Sequence, residues 1–285
     1  MALTQEIGRL RRPRHPGEVR RQALLRALTT LSGLQRIHPE FLHRLRIDLR
    51  RLEAWLALQE RNRLAEKLNL SLAPLSPLRT LHVLEAWLVR HKAPSTDIRK
   101  VRTASSRLTR QLARNQVAES IKREVEKVGR LQLDPSPSRR RKIWEQHEDY
   151  LARLLRTLRQ KPKRKQLHDL RLRLKRIRYQ LEQLPPHDLL ERRFLTHLRQ
   201  AQNTLGIYEE RVAFKKLAKE LDLSIRTALV KRWKRARKRA RALPEEMDWL
   251  LSCLKQLRKT APSGSDRIRT PPKIAKKINT ELTAN

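Results

Sequence analysis

Two segments of the sequence carry the same pattern of histidine, arginine and leucine. Residues 43–56 read HRLRIDLRRLEAWL and residues 168–181 read HDLRLRLKRIRYQL, and the two align without gaps. Guanidinium groups and protonated imidazoles bind phosphate-type oxyanions through charge-assisted hydrogen bonds, so the repeated residue types predict anion binding. The identical pairs are His43/His168, Leu45/Leu170, Arg46/Arg171, Leu49/Leu174, Arg51/Arg176 and Leu56/Leu181.

On a helix, each segment separates into an apolar face and a basic face. Successive residues of a helix are rotated by about 100° around its axis, which places the leucines on one side and the cations on the other. For a single basic stripe, the alternative interpretation is a polar face that only keeps the helix soluble. Solubility does not require the same spacing of cations in two copies. We therefore expect one shared anion site, with the two rows facing each other across a groove or channel if the halves pack around a pseudo-two-fold axis. The rows are His43, Arg46 and Arg50, and His168, Arg171 and Lys175, with Arg51 and Arg176 on their flanks.

Helices must position these rows, and prolines divide the chain into helical blocks because proline lacks an amide donor and clashes with the preceding turn. With 6 glycines and no convincing alternating pattern, no strand is predicted, and the fold class is all-α. The repeats fall in helices over 39–67 and 163–184, residues 69–77 are expected to form a loop, and Gly206 is expected to end a helix or form a tight corner. The predicted organisation is a basic N-terminal segment (1–17), a first helical half (18–133), a linker (134–138), a second helical half (139–259) and a disordered basic tail (260–285).

The charge of the chain indicates a polyanionic partner. Lys and Arg number 68 against 29 Asp and Glu, which gives a formal net charge of +39. Such a charge favours nucleic acid, an anionic membrane surface or a phosphate polymer over small neutral substrates. No apolar stretch approaches the length of a membrane span, so no membrane insertion is expected. The single cysteine, Cys253, cannot form an internal disulfide, which favours an intracellular protein.

The two basic rows also resemble those of a known family, the conserved-histidine α-helical domain (CHAD) family. The resemblance lies in H-x-x-R followed by a basic pair, at 43–46 with Arg50-Arg51 and at 168–171 with Lys175-Arg176. It implies two pseudo-symmetric antiparallel bundles of about four main helices each around a basic central groove or channel. It also implies a cytoplasmic protein that binds inorganic polyphosphate and associates with polyphosphate granules. Carried over by position, the binding residues are His43, Arg46, Arg50, Arg51, His168, Arg171, Lys175, Arg176 and Arg178. Glu53 departs from the pattern, because it stands where the second copy has Arg178.

A second basic feature is the run from 231 to 241, which has eight cations in eleven residues. Leu229, Trp233, Ala236, Ala240 and Leu243 form an apolar stripe along it, so the run is predicted to be a docked helix rather than a free tail. Its expected role is a nonspecific electrostatic surface. Lys231, Lys234 and Lys238 lie opposite the stripe and are predicted secondary polyanion contacts.

No enzyme activity, cofactor or metal site is predicted. The sequence has no phosphate-binding glycine loop, H-E-x-x-H motif or paired cysteines. Glu145, His147, Glu148 and Asp149 cluster locally but fall on more than one helical face, which predicts a surface network. A nucleic-acid-binding helical module stays open as the alternative function. A phosphate-ester or polyphosphate-processing enzyme whose site forms only in the folded chain is the third.

Overall fold

The computed structural model of the chain describes residues 16–32, 37–128, 137–158, 162–183 and 189–260. Within these ranges the chain forms eleven α-helices and no β-strand, which confirms the predicted all-α fold class. None of the described helices combines the length and apolar character that crossing a membrane requires. The helices are α1 (Pro16–Ser32), α2 (Pro39–Leu58), α3 (Asn62–Leu72), α4 (Leu75–Arg90), α5 (Ser95–Arg114), α6 (Val117–Glu126), α7 (Pro137–Leu158), α8 (Arg164–Leu181), α9 (Leu189–Glu220), α10 (Arg226–Glu246) and α11 (Asp248–Thr260).

The predicted domain boundaries fall largely outside the described residues. This applies to most of the N-terminal segment 1–17, to 134–136 of the linker, and to all of the tail beyond 260. The boundaries therefore stay predictions. The linker prediction overlaps the first turn of α7, which begins at Pro137.

The leucine faces of both repeats are buried as predicted. On α2, Leu45 and its successors at helical spacing are at most 2% exposed, and on α8 the corresponding residues are fully buried. Pro39 occupies the first turn of α2, where its missing N–H costs nothing, and His38 caps the helix by accepting a hydrogen bond from the Glu40 N–H. Burial of one apolar face fixes the rotation of each helix, so the opposite basic face is fixed as well.

Three apolar cores hold the chain together. The first is formed mainly by α1, α2, α3 and α6, and the second by α7, α8, α9, α10 and α11. The third joins the two halves of the sequence, since Leu84 and Trp87 of α4 pack with Phe214 of α9 and Leu229 of α10. The halves are therefore connected by an apolar core in addition to the contact between α2 and α8.

A buried carboxylate strengthens the connection between the halves. Asp97, in the first turn of α5, is 2% exposed and accepts hydrogen bonds from the backbone N–H and the hydroxyl of Ser224, at 3.1 and 2.9 Å. It also accepts from the backbone N–H of Ile225 at 3.3 Å. These donors belong to the turn between α9 and α10, so the carboxylate satisfies backbone groups that the turn leaves without partners.

Three helix boundaries predicted from the sequence are wrong. The helix of the first repeat ends at Leu58 rather than 67, because the chain turns at Glu60, a non-glycine residue with φ of 61°. The predicted loop 69–77 is mostly helical, with only Ala73 and Pro74 between α3 and α4. Gly206 lies inside α9 rather than at a helix end. A Cβ at position 206 would lie 3.9 Å from Arg171 Nε, an ordinary van der Waals distance, so Arg171 of α8 is the neighbour of this part of α9.

Candidate functional site

The basic rows of the two repeats meet where α2 packs against α8. Arg46 and Arg50 of α2 are electrostatic neighbours of both Arg171 and Lys175 of α8. His43 interacts electrostatically with Lys175 and with Arg79 of α4. The structure thus places most of the predicted anion-binding residues in one group. We call it the central cluster, which comprises His43, Arg46, Arg50, Arg79, Arg171, Lys175 and Arg178.

Lys175 is the cation in this cluster that is least compensated. Burial, followed by the positive charges of Arg171, Arg50, Arg178 and Arg46, lowers the pKa of its ammonium group to about 7. No ion pair to Lys175 occurs among the described residues. An anion placed beside Lys175 would offset the cost of burying its charge and the repulsion from the neighbouring cations.

Arg46 and Arg50 are fixed by contacts to the first half of the chain. The Nη1 group of Arg46 donates hydrogen bonds to the carbonyl oxygen of Leu72 at 3.3 Å and to the Ser76 hydroxyl at 3.1 Å. Burial, together with Arg50 and Arg79, lowers the pKa of Arg46 to about 10, which leaves it charged at neutral pH. Arg50 donates to Glu53 Oε2 at 2.6 Å and to Asn69 Oδ1. The departure from the repeat at Glu53 therefore partly neutralises the first row.

Arg171 retains an unused donor inside the cluster. Its Nε is buried and has no hydrogen-bond acceptor within the part of the chain that the structure describes. Burial lowers the pKa of the guanidinium, while Glu209 and Glu210 act in the opposite direction. A buried donor without an acceptor is costly, and an oxyanion in the cluster would satisfy it.

Two carboxylates hold several of the remaining cations. Glu182, just after α8, pairs with Arg51 at 3.8 Å, and with Arg178 and Arg199 at 3.5 Å each. Glu209 of α9 lies 3.3 Å from His168 Nδ1 and 3.5 Å from an Nη of Arg164. An incoming polyanion would compete with these carboxylates for the same cations.

The two repeated histidines occupy different environments. His43 lies among cations, and burial followed by Arg79 lowers the pKa of its imidazole. His168 is partly exposed and lies beside the Glu209 carboxylate. The first position of the repeat is therefore histidine in both copies, but the charges around it differ between the two.

Other sequence-predicted residues lie outside the central cluster. Arg176 is exposed and its charge acts on Arg173 and on His147 of α7 rather than on the cluster. Arg51 reaches Glu182 and Asp48. The predicted secondary contacts Lys231, Lys234 and Lys238 are exposed on α10.

Arg79 belongs to the central cluster but was not predicted from the sequence. It lies on α4, outside both repeats, and burial lowers the pKa of its guanidinium while Glu210 and Glu40 act in the opposite direction. Its position depends on α4 packing against α2 and α9. The repeat carries no signal for such a residue.

The acidic cluster of α7 is not a surface network as predicted. His147 and Glu148 are buried. His147 Nε2 lies 2.6 Å from the side-chain oxygen of Gln180, and Glu148 pairs with Arg258 at 3.1 Å. Burial lowers the pKa of His147 to about 4, so the imidazole is neutral in the folded chain at physiological pH. In the described part of the chain, no group of three or more His, Cys, Asp and Glu side chains is arranged to hold a metal ion.

Comparison with known proteins agrees with this architecture. The family model of the CHAD domain matches residues 20–219. The fold is similar to the crystal structure of the CHAD domain from the plant Ricinus communis, with a TM-score of 0.57 and 19% sequence identity over 87% of this chain and 91% of that chain. No curated protein sequence matches the chain.

Proposed function

Because the chain belongs to the CHAD domain family, we propose that it binds inorganic polyphosphate at the central cluster. The observation that carries this proposal is the meeting of Arg46 and Arg50 of α2 with Arg171 and Lys175 of α8. Four cations held together in a partly buried position repel one another and lose solvation. An anionic ligand with several oxygens would relieve both costs.

A polymer suits this arrangement better than a single phosphate ion. Basic side chains continue from the central cluster to Arg51 and Arg199, which share Glu182. A chain of linked phosphates can bind one group of cations and then compete for the next at high effective concentration. This lets it displace Glu182 and Glu209, which a monomeric phosphate at the same concentration would do poorly. Association with polyphosphate granules would follow from such binding.

Nucleic acid is the second candidate ligand, and the exposed lysines of α10 favour it. Lys231, Lys234 and Lys238 lie on the solvent side of a helix with eight cations between 231 and 241. Such a surface would contact a phosphate backbone without reading bases. Nucleic acid would use the same basic surfaces as polyphosphate, so the two ligands should compete and can be compared directly.

Competition at physiological salt tests the two candidates. Long-chain polyphosphate should displace labelled DNA and RNA, single- and double-stranded, at matched phosphate concentration. Ready displacement of polyphosphate by nucleic acid would overturn the proposal. Replacing Arg46, Arg50, Arg171 and Lys175 with alanine should abolish tight polyphosphate binding. Alanine at Lys231, Lys234 and Lys238 is the control of similar charge change and should weaken it only slightly.

Folding of the fourfold variant needs its own check, because Arg46 is bonded to the turn before α4. Circular dichroism measures its helicity. The double variant Arg171→Gln with Lys175→Gln leaves those bonds intact and should still weaken binding strongly. If the double variant binds normally, the central cluster is not the site.

We propose binding without turnover. His147 and Glu148, the buried members of the acidic cluster of α7, are already engaged with Gln180 and Arg258. Phosphate release on incubation of the chain with polyphosphate and Mg²⁺ or Mn²⁺ would support a processing enzyme instead.

A further inference from the structure

A second basic pocket lies between α9, α10 and the start of α8. Its volume is about 300 Å³, and none of its lining residues belongs to the central cluster. It is lined by Arg164, Tyr208, Val212, Lys215, Trp233, Arg237 and Arg241. The pocket therefore combines four cations with two aromatic rings and an aliphatic side chain.

The aromatic wall of the pocket is centred on Trp233. The Nζ of Lys215 lies 4.2 Å from the centroid of the Trp233 ring, and the guanidinium carbon of Arg237 lies 5.3 Å from it. Tyr208 is 4% exposed and Trp233 is partly buried, so both rings are held by the surrounding packing. A half-buried tryptophan face can stack on a flat ring, and the neighbouring cations can then bind the charged part of the same ligand.

The cations of the pocket come from three helices, α8, α9 and α10. Trp233, Arg237 and Arg241 are spaced four residues apart on α10 and form one row. Arg164 is the first residue of α8, whose first turn contains no acidic residue. A cation at a helix N-terminus opposes the helix dipole, and an anion bound there would relieve the conflict. Glu209 lies 3.5 Å from Arg164, so an anionic ligand at this position would compete with that carboxylate.

We propose that this pocket binds a nucleotide, with the base against Trp233 and the phosphates between Arg164, Arg237 and Arg241. A neutral aromatic ligand would leave Lys215, Arg237 and Arg241 without an anionic partner, since no carboxylate lines the pocket among the described residues. A simple phosphate or a polyphosphate end would leave the aromatic wall unused. A nucleoside phosphate matches both parts. The proposal goes beyond polyphosphate binding and does not depend on it.

Calorimetric titration of the Arg171→Gln, Lys175→Gln variant, whose central cluster is weakened, with ATP, tripolyphosphate and adenosine in EDTA separates the contributions of base and phosphates at the pocket. ATP should bind about tenfold tighter than tripolyphosphate, which is the usual effect of stacking one base on an aromatic side chain. Adenosine alone should bind weakly. If ATP and tripolyphosphate bind equally well, the pocket is a plain anion site or no site, and the proposal fails.

Substitutions test the location of the nucleotide. Trp233→Leu should remove the preference for ATP over tripolyphosphate, and an unchanged preference would overturn the proposal. Because Trp233 also packs against the second core, the double variant Arg237→Gln with Arg241→Gln is needed as well. It should weaken ATP binding by about tenfold, as expected when two charge-assisted contacts are lost. The control is Lys234→Gln with Lys238→Gln, which makes the same charge change on the exposed side of α10. It should change ATP affinity by less than about twofold.

Photolabelling distinguishes this pocket from the central cluster. When the central cluster is weakened by Arg171→Gln with Lys175→Gln, 8-azido-ATP should still label a peptide that contains Tyr208, Lys215 or Trp233. The fourfold alanine variant at Arg46, Arg50, Arg171 and Lys175 should be labelled to the same extent as the unmodified chain. Labelling confined to α2 or α8 would overturn the nucleotide proposal and leave polyphosphate binding unaffected.

Discussion

Glu209 places a carboxylate oxygen 3.3 Å from Nδ1 of His168, the first residue of the second basic row. The same carboxylate lies 3.5 Å from Arg164, so it contacts side chains of both the second repeat and the pocket beside Trp233. Its side chain is only 13% exposed, which limits screening by solvent. Glu209 is therefore an internal competitor for any polyanion that approaches the second repeat.

Removing that competitor should strengthen polyphosphate binding. Glu209→Gln keeps the shape of the side chain but leaves His168 and Arg164 available to phosphate oxygens. We expect a few-fold tighter binding, comparable to one partly exposed ion pair of about 1 kcal/mol or less. Glu220→Gln is the control, because it makes the same charge change at an exposed carboxylate that pairs with Lys216 of the same helix. Equal effects of the two substitutions would point to net charge instead of this contact.

Polyphosphate binding should be accompanied by proton uptake. The pKa of Lys175 is lowered to about 7 and that of His43 is lowered below its usual value, so both groups are partly deprotonated in the free chain near and above pH 7. A bound polyanion favours their protonated forms. Affinity should therefore increase as the pH falls from about 8 to about 6 at fixed ionic strength.

Calorimetry in two buffers of different ionisation enthalpy measures this proton uptake directly. Lys175→Arg keeps the charge at all these pH values and should reduce the uptake, leaving the part due to His43. Flat affinity over the same pH range in the unmodified chain would contradict the arrangement described for Lys175.

The free energy of unfolding should also depend on the protonation of Lys175. It should rise with pH, whereas the affinity for polyphosphate falls. The unfolded lysine has a pKa of 10.5 and the folded one about 7, so the unfolded chain binds more protons between these values. The free energy of unfolding therefore rises with pH across this window, by up to about 1.4 kcal/mol per pH unit from this group. Below pH 7 or so the full cost of burying the charge is present.

Lys175→Met isolates this contribution. Urea unfolding of the two proteins should show stability rising more steeply with pH between 7 and 9 in the unmodified chain. The variant should be the more stable of the two near pH 7, because it removes a buried uncompensated charge. Parallel pH profiles for the two proteins would mean that Lys175 is solvated.

How far the sequence predicts the site depends on whether a residue lies within the repeat. The leucine periodicity places Arg46 and Arg171 on the faces opposite the core, and both belong to the central cluster. Arg176 carries the same motif position as Arg51 but is directed towards α7, because its neighbours are set by the second core rather than by the repeat. Periodicity determines which face of a helix is buried, not which other helix lies beside the exposed face.

The features of the site that the sequence did not predict depend on contacts between segments that are distant along the chain. Arg79 joins the central cluster through the packing of α4, and the pocket at Trp233 exists because α9 lies beside α10. Trp233 was correctly placed on the apolar stripe of α10, but its position on a pocket wall depends on Tyr208 and Val212. Such relationships need the tertiary arrangement.

The position of Gly206 inside the continuous helix α9 can be tested by substitution. A glycine that ends a helix adopts positive φ, where alanine is strained, so substitution there destabilises. Inside a continuous helix the same substitution stabilises, because glycine costs roughly 0.5–1 kcal/mol relative to alanine. Since a Cβ would lie 3.9 Å from Arg171 Nε, which is an ordinary contact, Gly206→Ala should raise the free energy of unfolding by about that amount.

A larger side chain at the same position should affect binding instead. Atoms beyond Cβ in Gly206→Leu would meet the guanidinium of Arg171 and push it from the central cluster, so polyphosphate binding should weaken while Gly206→Ala binds normally. Ser120 lies in the exposed middle of α6, away from both repeats, so Ser120→Leu is the control for adding an apolar side chain to a helix. Chemical denaturation and polyphosphate titration of the three variants measure both effects. Destabilisation by alanine would show that the chain turns at 206, and normal binding by the leucine variant would show that Arg171 does not need its place beside α9.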